Sequence, residues 1–242
     1  ADQSVTGNPE IFDLFVHRLA KDTSQDKLLD ELESMVRGHH PLVSRIPDPM
    51  RKIIRTHFHI FMKSMPQDFD LKGASIGNIV LTAGYLSNNR KMDPVIYIFS
   101  KLVHVCGVVR PIINKNLHLA VRLADGQVIV GQHNITGKES APISSAIRDI
   151  WLTASLDSSE PVQAPIRNKV KDRIAEADLI CYPIGSFFSS VIANLLPQGV
   201  GRAVARNKCP KVFVPNTGND PEAYGLSVPE QVLRLRRHLL ES

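Results

Sequence analysis

The 242-residue chain is poor in cysteine, in aromatic side chains and in long apolar runs. Its three cysteines, Cys106, Cys181 and Cys209, stand far apart. Their odd number argues against a disulfide framework, and their spacing matches no zinc motif. No apolar run approaches the length of a membrane span, and no signal peptide opens the chain. A membrane is therefore not an expected partner, and the compartment reads as cytoplasmic. No Gly-Lys-Ser/Thr ending marks a Walker loop. No serine stands between two glycines at the spacing of a nucleophile elbow. Internal repeats and low-complexity segments are absent too. The chain opens at Ala1 without an initiator methionine, which points to sequence upstream.

What is present is an ordinary globular composition: 43% apolar, 22% charged and a formal charge of +5. That excess fits an anionic small molecule. The basic residues are scattered. The two densest groups, Arg202, Arg206, Lys208 with Lys211, and Arg234, Arg236 with Arg237, lack the interleaved aromatics of a single-strand binder. Nucleic acid is not expected as a partner.

The first third reads as helical. Asn8-Pro9, Ser24 and Asp48-Pro49 supply helix starts, and Gly38 a stop. A further helix over 71–85 carries Gly73, Ala74, Ser75, Gly77, Ala83 and Gly84. Glycine in a helix costs about 1 kcal/mol relative to alanine. Several together imply close backbone approach, to another helix or to a ligand, and Asn78 is the amide on that surface. Another Asp-Pro pair opens a helix from Asp93 to about Val105. The period then changes. Residues 108–113 and 117–123 read as strands, and Asp125-Gly126 as a hairpin turn into a return strand over 128–130.

The most informative segment runs from Asp178 to Asn194. Residues 179–182 read as a buried parallel strand, with Cys181 as a small core residue. Pro183, Gly185 and Ser186 make a turn into a helix carrying Ser189 and Ser190. A helix over 199–206 leads to a second strand over 211–214 and the loop Pro215-Asn216-Thr217-Gly218-Asn219. This strand–helix–strand order predicts a right-handed parallel unit, with ligands outside the carboxyl ends of its strands. Gly185, Ser186, Ser189 and Ser190 can offer backbone N–H and hydroxyl donors to phosphate; serine at a helix start also serves as a cap with no ligand. Asn216, Thr217, Asn219 and Asp220 suit ribose, phosphate or metal-bound water, or a hydrogen-bonded turn. His57 and His59 fall on different faces of one helix, and His39-His40 lacks matched partners, so no residue is assigned as a metal ligand.

Several segments together resemble the CofD-like family. Gly73-Ala74-Ser75-Ile76-Gly77-Asn78 is similar to its Gly-x-x-x-Gly-Asn element. Asp125-Gly126 followed by Gly131-Gln132-His133-Asn134-Ile135 resembles its Asp-Gly…Gly-Glu-His-Asn-Ile. The run Gly185 to Leu195 resembles Gly-Ser-x-x-Thr-Ser-x-x-Pro-Asn-Leu, with Ser189 for threonine and Ala193 for proline. Pro210 to Asn216 resembles Pro-Lys-Val-Tyr-Val-x-Asn. The matches keep their order across residues 73–220.

The resemblance implies an α/β, Rossmann-like three-layer fold with a mainly parallel sheet and a helical N-terminal insertion. It is expected as one domain over 1–242, with residues 1–70 helical and 71–242 the core. It implies a nucleotide-diphosphate-linked small molecule as partner and Mg2+ as cofactor. Gly185, Ser186, Ser189, Ser190, Asn216, Asn78 and Asn134 are the expected ligand-binding residues. Two functions stay open: transfer of a phosphoryl-linked, phospholactyl-type group to an alcohol, as in 2-phospho-L-lactate transferase, or non-catalytic binding of a nucleotide sugar, as in the gluconeogenesis factors. A homodimer is left open. No catalytic residue is assigned, because the family's Gly-rich loop and Asp-Gly-Gly-Ser segment do not occur in this chain.

Overall fold

The computed structural model describes residues 8–136 and 143–242. The chain divides into two compact units, Ala1–Pro111 and Ile112–Ser242. Among its described residues the first contains helices and loops, with one isolated bridge, Arg18–Ser75. Helix α1 (Pro9–Val16) starts where Asn8 accepts from the Ile11 N–H at 3.2 Å. Helix α2 (Gln25–Arg37) stops at Gly38, whose φ of 81° suits the left-handed cap. The short α3 (Pro41–Ser44) is capped by His40, and α4 (Met50–Ser64) follows. Helix α5 (Ile76–Ser87) and α6 (Met92–Leu102) complete the unit. Its core holds Leu14, Leu28, Leu32, Met35, Ile54 and Phe58, all fully buried.

The small residues of α5 are explained by packing within this unit. A Cβ on Gly77 would sit 2.8 Å from the Phe15 carbonyl oxygen of α1, and one on Gly84 would sit 2.7 Å from Val95 of α6. Helix approach, the first of the two readings, accounts for Gly77 and Gly84; Gly73, in a turn at φ 70°, Ala74 and Ser75 precede the helix, which starts at Ile76 rather than at residue 71. The two histidines of α4 do face apart, His57 buried and His59 exposed.

The second unit mixes helices and strands. Strands β1 (His118–Leu123) and β2 (Val128–Val130) form the expected hairpin. Gly126 takes φ 92° in its turn, and the Gln127 N–H donates to Asp125 at 2.9 Å. A short helix α7 (Gln132–Ile135) follows. Strand β3 (Ile147–Thr153) pairs antiparallel with β1 in a sheet ordered β2-β1-β3. Helix α8 (Asn168–Ala175) leads to β4 (Ile180–Tyr182). Beyond the turn at 183–186 come a π-helical turn, Phe187–Val191, and a 3-10 turn, Ile192–Leu195. Helix α9 (Val200–Arg206), β5 (Lys211–Phe213), a 3-10 turn at Pro221–Ala223 and α10 (Val228–Glu241) close the chain.

Four further expectations are corrected. Residues 108–113 form no strand; Pro111 lacks the N–H that a ladder needs there. Strand β3 was not anticipated. Among the described residues, parallel strand pairing is limited to β4–β5, in the register Ile180↔Lys211, Cys181↔Val212 and Tyr182↔Phe213, with one isolated parallel bridge, Pro165–Gln198, while the larger sheet is antiparallel. Cys181 is exposed rather than buried. Strands β4 and β5 bury only the face carrying Tyr182 and, in part, Ile180 and Phe213. The other face leaves Leu179, Val212 and Val214 about half exposed, at 54, 43 and 41%.

His238, on α10, is 7% exposed, and burial lowers its pKa below the ordinary value, with Arg237 and Arg234 acting in the same sense against Glu241 and Asp149. A depressed histidine contributes stability that is present above its ordinary value near 6.5 and lost as pH falls through the folded value. The urea midpoint should therefore drop more on acidification from pH 7 in the wild type than in His238→Gln. Equal drops would assign the acid sensitivity to other groups.

Candidate functional site

The site is built where β4 and β5 end side by side. Parallel pairing places the 183–186 turn beside the loop after β5, and three side chains of that loop join the two. Asn216 makes two bonds with Gly185: its Oδ1 accepts from the Gly185 N–H at 3.1 Å, and its Nδ2 donates to the Gly185 carbonyl at 2.7 Å. Asp220 Oδ2 accepts from the Phe187 N–H at 2.7 Å and from Asn216 Nδ2 at 3.3 Å. Glu222, only 1% exposed, accepts from the N–H groups of Phe188 and Ser189 at 3.0 and 2.7 Å through Oε2. Its Oε1 accepts from the Ser189 hydroxyl at 2.5 Å.

The first N–H groups of a helix have no partner inside it and attract negative charge. Here two carboxylates of the same chain occupy that position. The wide turn itself follows from local bonding. The Ser186 carbonyl accepts from both Ser190 N–H at 2.9 Å and Val191 N–H at 3.3 Å, so an i+5 bond joins the α-helical i+4 bond and widens the turn. Phe187, Phe188, Val191 and Ile192 bury beneath it and fix its seat on the core.

Glu222 has no cationic partner among its hydrogen bonds. Burial pushes its carboxyl above the ordinary range, Ser189 and Phe188 oppose this by donating to it, and the neighbouring Asp220 charge adds to the rise. Sequence reasoning missed Glu222. Its partners lie 33 and 34 positions away, and a buried unpaired acid has no local signature. Asp220 was noticed only as a polar loop residue. Tyr182, at the end of β4, is a second unanticipated feature. Its buried hydroxyl has no hydrogen-bond partner among the described residues, and burial raises its pKa.

Gly185, Ser186, Ser189, Ser190 and Asn216 are therefore brought together in one turn and its clamp. Within it, the N–H groups of Gly185, Phe187, Phe188 and Ser189 and the hydroxyl of Ser189 are already used. The hydroxyls of Ser186, half-buried, and Ser190, exposed, carry no hydrogen bond among the described residues. Asn134 lies elsewhere in this unit, on α7, where its amide donates to the Val130 carbonyl at 2.9 Å. Asn78 belongs to the first unit, exposed on α5, with its N–H on the Ser75 cap at 3.4 Å. A cleft of about 580 Å³ in the first unit, lined by Tyr97, Lys101, His104 and Arg110 among others, contains none of the expected residues.

The carboxylates of the clamp are largely engaged and leave little for magnesium. Each ionised carboxylate has about four acceptor positions. Asp220 has used three, on Phe187, Asn216 and the Glu222 N–H, and Glu222 has also used three. Each could therefore offer Mg2+ at most one oxygen, the rest of its near-octahedral shell coming from water or ligand phosphate.

A parallel strand–turn–helix–strand unit brings its two terminal loops together outside the carboxyl ends of the strands, the place where open α/β sheets in general hold ligands. Residues 13–242 match the family described as CofD, 2-phospho-L-lactate transferase, and the chain belongs to that family. Among curated relatives, a putative gluconeogenesis factor of Thermotoga maritima is 28% identical over 172 residues, 71% of this chain and 50% of that protein. One from Clostridium acetobutylicum is 31% identical over 175 residues, 72% of this chain and 37% of its own length. The gluconeogenesis factor of Bacillus subtilis is 28% identical over 182 residues, 74% and 53% of the two chains. The chain thus spans about half or less of the length of these relatives. Two crystal structures of a Bacillus halodurans protein superpose with a TM-score of 0.58 at 22 and 23% identity, covering 93 and 91% of this chain and 68 and 67% of theirs. That likeness establishes a shared fold. Among the described residues, no helix is long and apolar enough to cross a membrane.

Proposed function

We propose that the protein binds a nucleotide-diphosphate-linked small molecule on the exposed side of the Gly185–Ser190 turn. The observation that carries this reading is the clamp. Asn216, Asp220 and Glu222 hold the turn open in a fixed shape while Ser186 and Ser190 keep their hydroxyls for a ligand. The ligand's phosphates do not enter the helix N-terminus, which the carboxylates fill. They lie against Ser186 and Ser190, with Asn216 beside them and Ser189 acting only to position the turn through Glu222.

Membership of the transferase family favours the catalytic form of this reading: the oxygen of a substrate alcohol, losing its proton, would bond to the phosphorus of the transferred group as that phosphorus breaks its bond to the bridging oxygen, which leaves on the nucleoside monophosphate, and Mg2+ would neutralise charge on the diphosphate. Since the clamp carboxylates are largely engaged, that magnesium would be carried chiefly on the ligand's diphosphate. A second reading is favoured by the names of the relatives. A gluconeogenesis factor that senses a nucleotide sugar would bind in the same turn and turn nothing over. Full-length protein incubated with guanosine- and uridine-diphosphate-linked compounds, magnesium and candidate alcohols separates the two. Nucleotide release that depends on the alcohol supports transfer. Binding with no release supports the sensor, and binding of neither compound class removes both.

A further inference from the structure

We propose that His17, Glu31 and His40, in the first unit, form a site for a transition-metal dication of the Zn2+ type. The proposal stands apart from the Gly185–Ser190 turn and uses none of its residues. His17 Nε2 lies 3.0 Å from Glu31 Oε1, and His40 Nε2 lies 3.6 Å from the same oxygen. One ligand atom from each residue falls within 4.8 Å of the other two. In a tetrahedral site with bonds of 2.0–2.1 Å, ligand atoms stand about 3.3 Å apart. The two measured separations bracket that value, and the ligand nitrogens of the two histidines lie within 4.8 Å of each other, so the rings would close on a central ion by side-chain rotation.

Each ligand is fixed by its own backbone. His17 sits just past α1, where its carbonyl accepts from the Ile76 N–H at 3.0 Å beside the Arg18–Ser75 bridge. Glu31 is mid-way along α2. His40 follows the Gly38 cap, with its N–H on the Ser34 carbonyl at 3.3 Å. The three side chains are part-buried, at 32, 28 and 16% exposure, so solvent can supply a fourth ligand. Two imidazoles and one carboxylate with an open position suit Zn2+, whereas Mg2+ prefers oxygen alone. Sequence spacing concealed the set, because its members stand 14 and 9 positions apart on three elements and only the fold converges them.

Binding has a specific local consequence. His40 Nδ1 now accepts from the Leu42 N–H at 3.2 Å, capping α3, which puts the ring proton on Nε2. Metal on Nε2 moves that proton to Nδ1, where it meets the Leu42 N–H and ends the cap. Zn2+ and the α3 cap therefore compete for one ring.

The test uses metal-stripped full-length protein and Zn2+, titrated against a chromophoric chelator, with Mg2+ in parallel. The expected result is one Zn2+ per chain and no Mg2+ uptake. His17→Gln and His40→Asn should each weaken Zn2+ by at least about tenfold, the low end of what even outer-shell changes cost. His40→Asn keeps a side-chain acceptor for the Leu42 N–H, asparagine being a favoured cap, so it separates metal loss from misfolding. In the wild type, Zn2+ should shift the Leu42 amide resonance, and Co2+ should give the intense visible bands of a low-coordinate site. Zn2+ affinity unchanged in His40→Asn, a Co2+ spectrum matching the free aquo ion, or equal uptake of Mg2+ would overturn the proposal.

Discussion

Glu222→Ala should destabilise the protein by about 3–5 kcal/mol, whereas Glu222→Gln should cost less than about 1 kcal/mol. The alanine leaves the Phe188 and Ser189 N–H groups and the Ser189 hydroxyl without their acceptor. Each buried donor left unpaired costs about 1–3 kcal/mol, so three together remove a large part of a typical folding free energy of about 5–15 kcal/mol. Glutamine places its amide oxygen where Oε2 was, facing the two fixed N–H donors. Its NH2 then meets Ser189, whose hydroxyl can rotate and accept. The same geometry locates the proton when Glu222 is neutral, on Oε1 against Ser189. Because burial raises this carboxyl, the folded state binds its proton more tightly than the unfolded chain does. Its contribution is present below the ordinary carboxylate range and is lost as pH rises through the folded value. Urea midpoints across that window should slope downward for the wild type relative to Glu222→Gln. If Glu222→Ala unfolds at the wild-type midpoint, the clamp is not a structural feature of the protein.

Gly201→Ala is the second large effect, and here two tendencies oppose. Alanine is the better helix former by about 1 kcal/mol. Yet a Cβ at Gly201 would lie 1.7 Å from the Leu239 carbonyl oxygen and 2.8 Å from Ser242 Oγ. The first of these is backbone and cannot turn aside. Helices α9 and α10 are also stitched there, with the Gly201 N–H on Ser242 Oγ at 2.9 Å and the Gly199 N–H on the Ser242 carbonyl at 3.0 Å. Separating the helices costs about 1–3 kcal/mol or more by overpacking, beyond the loss of those bonds. A net loss of about 2–3 kcal/mol is expected in chemical denaturation. Gly218→Ala, with open space around the added carbon, is the control and should change stability by less than about 0.5 kcal/mol. A stabilised Gly201→Ala protein would mean that propensity wins and the helices sit farther apart.

What the sequence made legible follows physical range. Helix starts and stops depend on a few neighbouring residues, so Asn8, Gly38 and Asp125-Gly126 marked their elements correctly. The order of strand, turn, helix and strand over 179–214 gave the β4–β5 pair, because parallel connection is a local rule. Ser186 and Asn216 were found as parts of one turn region from their residue types alone. The partners of that turn were not. Glu222 works through the fold at long separation, and a buried acid held only by N–H and hydroxyl donors resembles a surface acid in sequence. Strand β3 escaped because Arg148, Asp149 and Trp151 interrupt its apolar alternation, and its pairing with β1 decides it. The glycines of α5 announced close approach, but only packing against Phe15 and Val95 showed what approached.

In the proposed function the Gly185–Ser190 turn receives a phosphate-bearing ligand. Calorimetric titration of full-length protein with uridine- and guanosine-diphosphate-linked compounds measures this directly, in the wild type and in Ser186→Ala/Ser190→Ala. Neither hydroxyl has a partner within the described fold, so the double variant should unfold at the wild-type urea midpoint. A hydrogen bond to a charged group is worth about 1.5–3 kcal/mol, so the double variant should bind the preferred compound at least about tenfold more weakly. A wild-type protein that binds such a compound with the same affinity in the double variant would contradict the assignment of this turn.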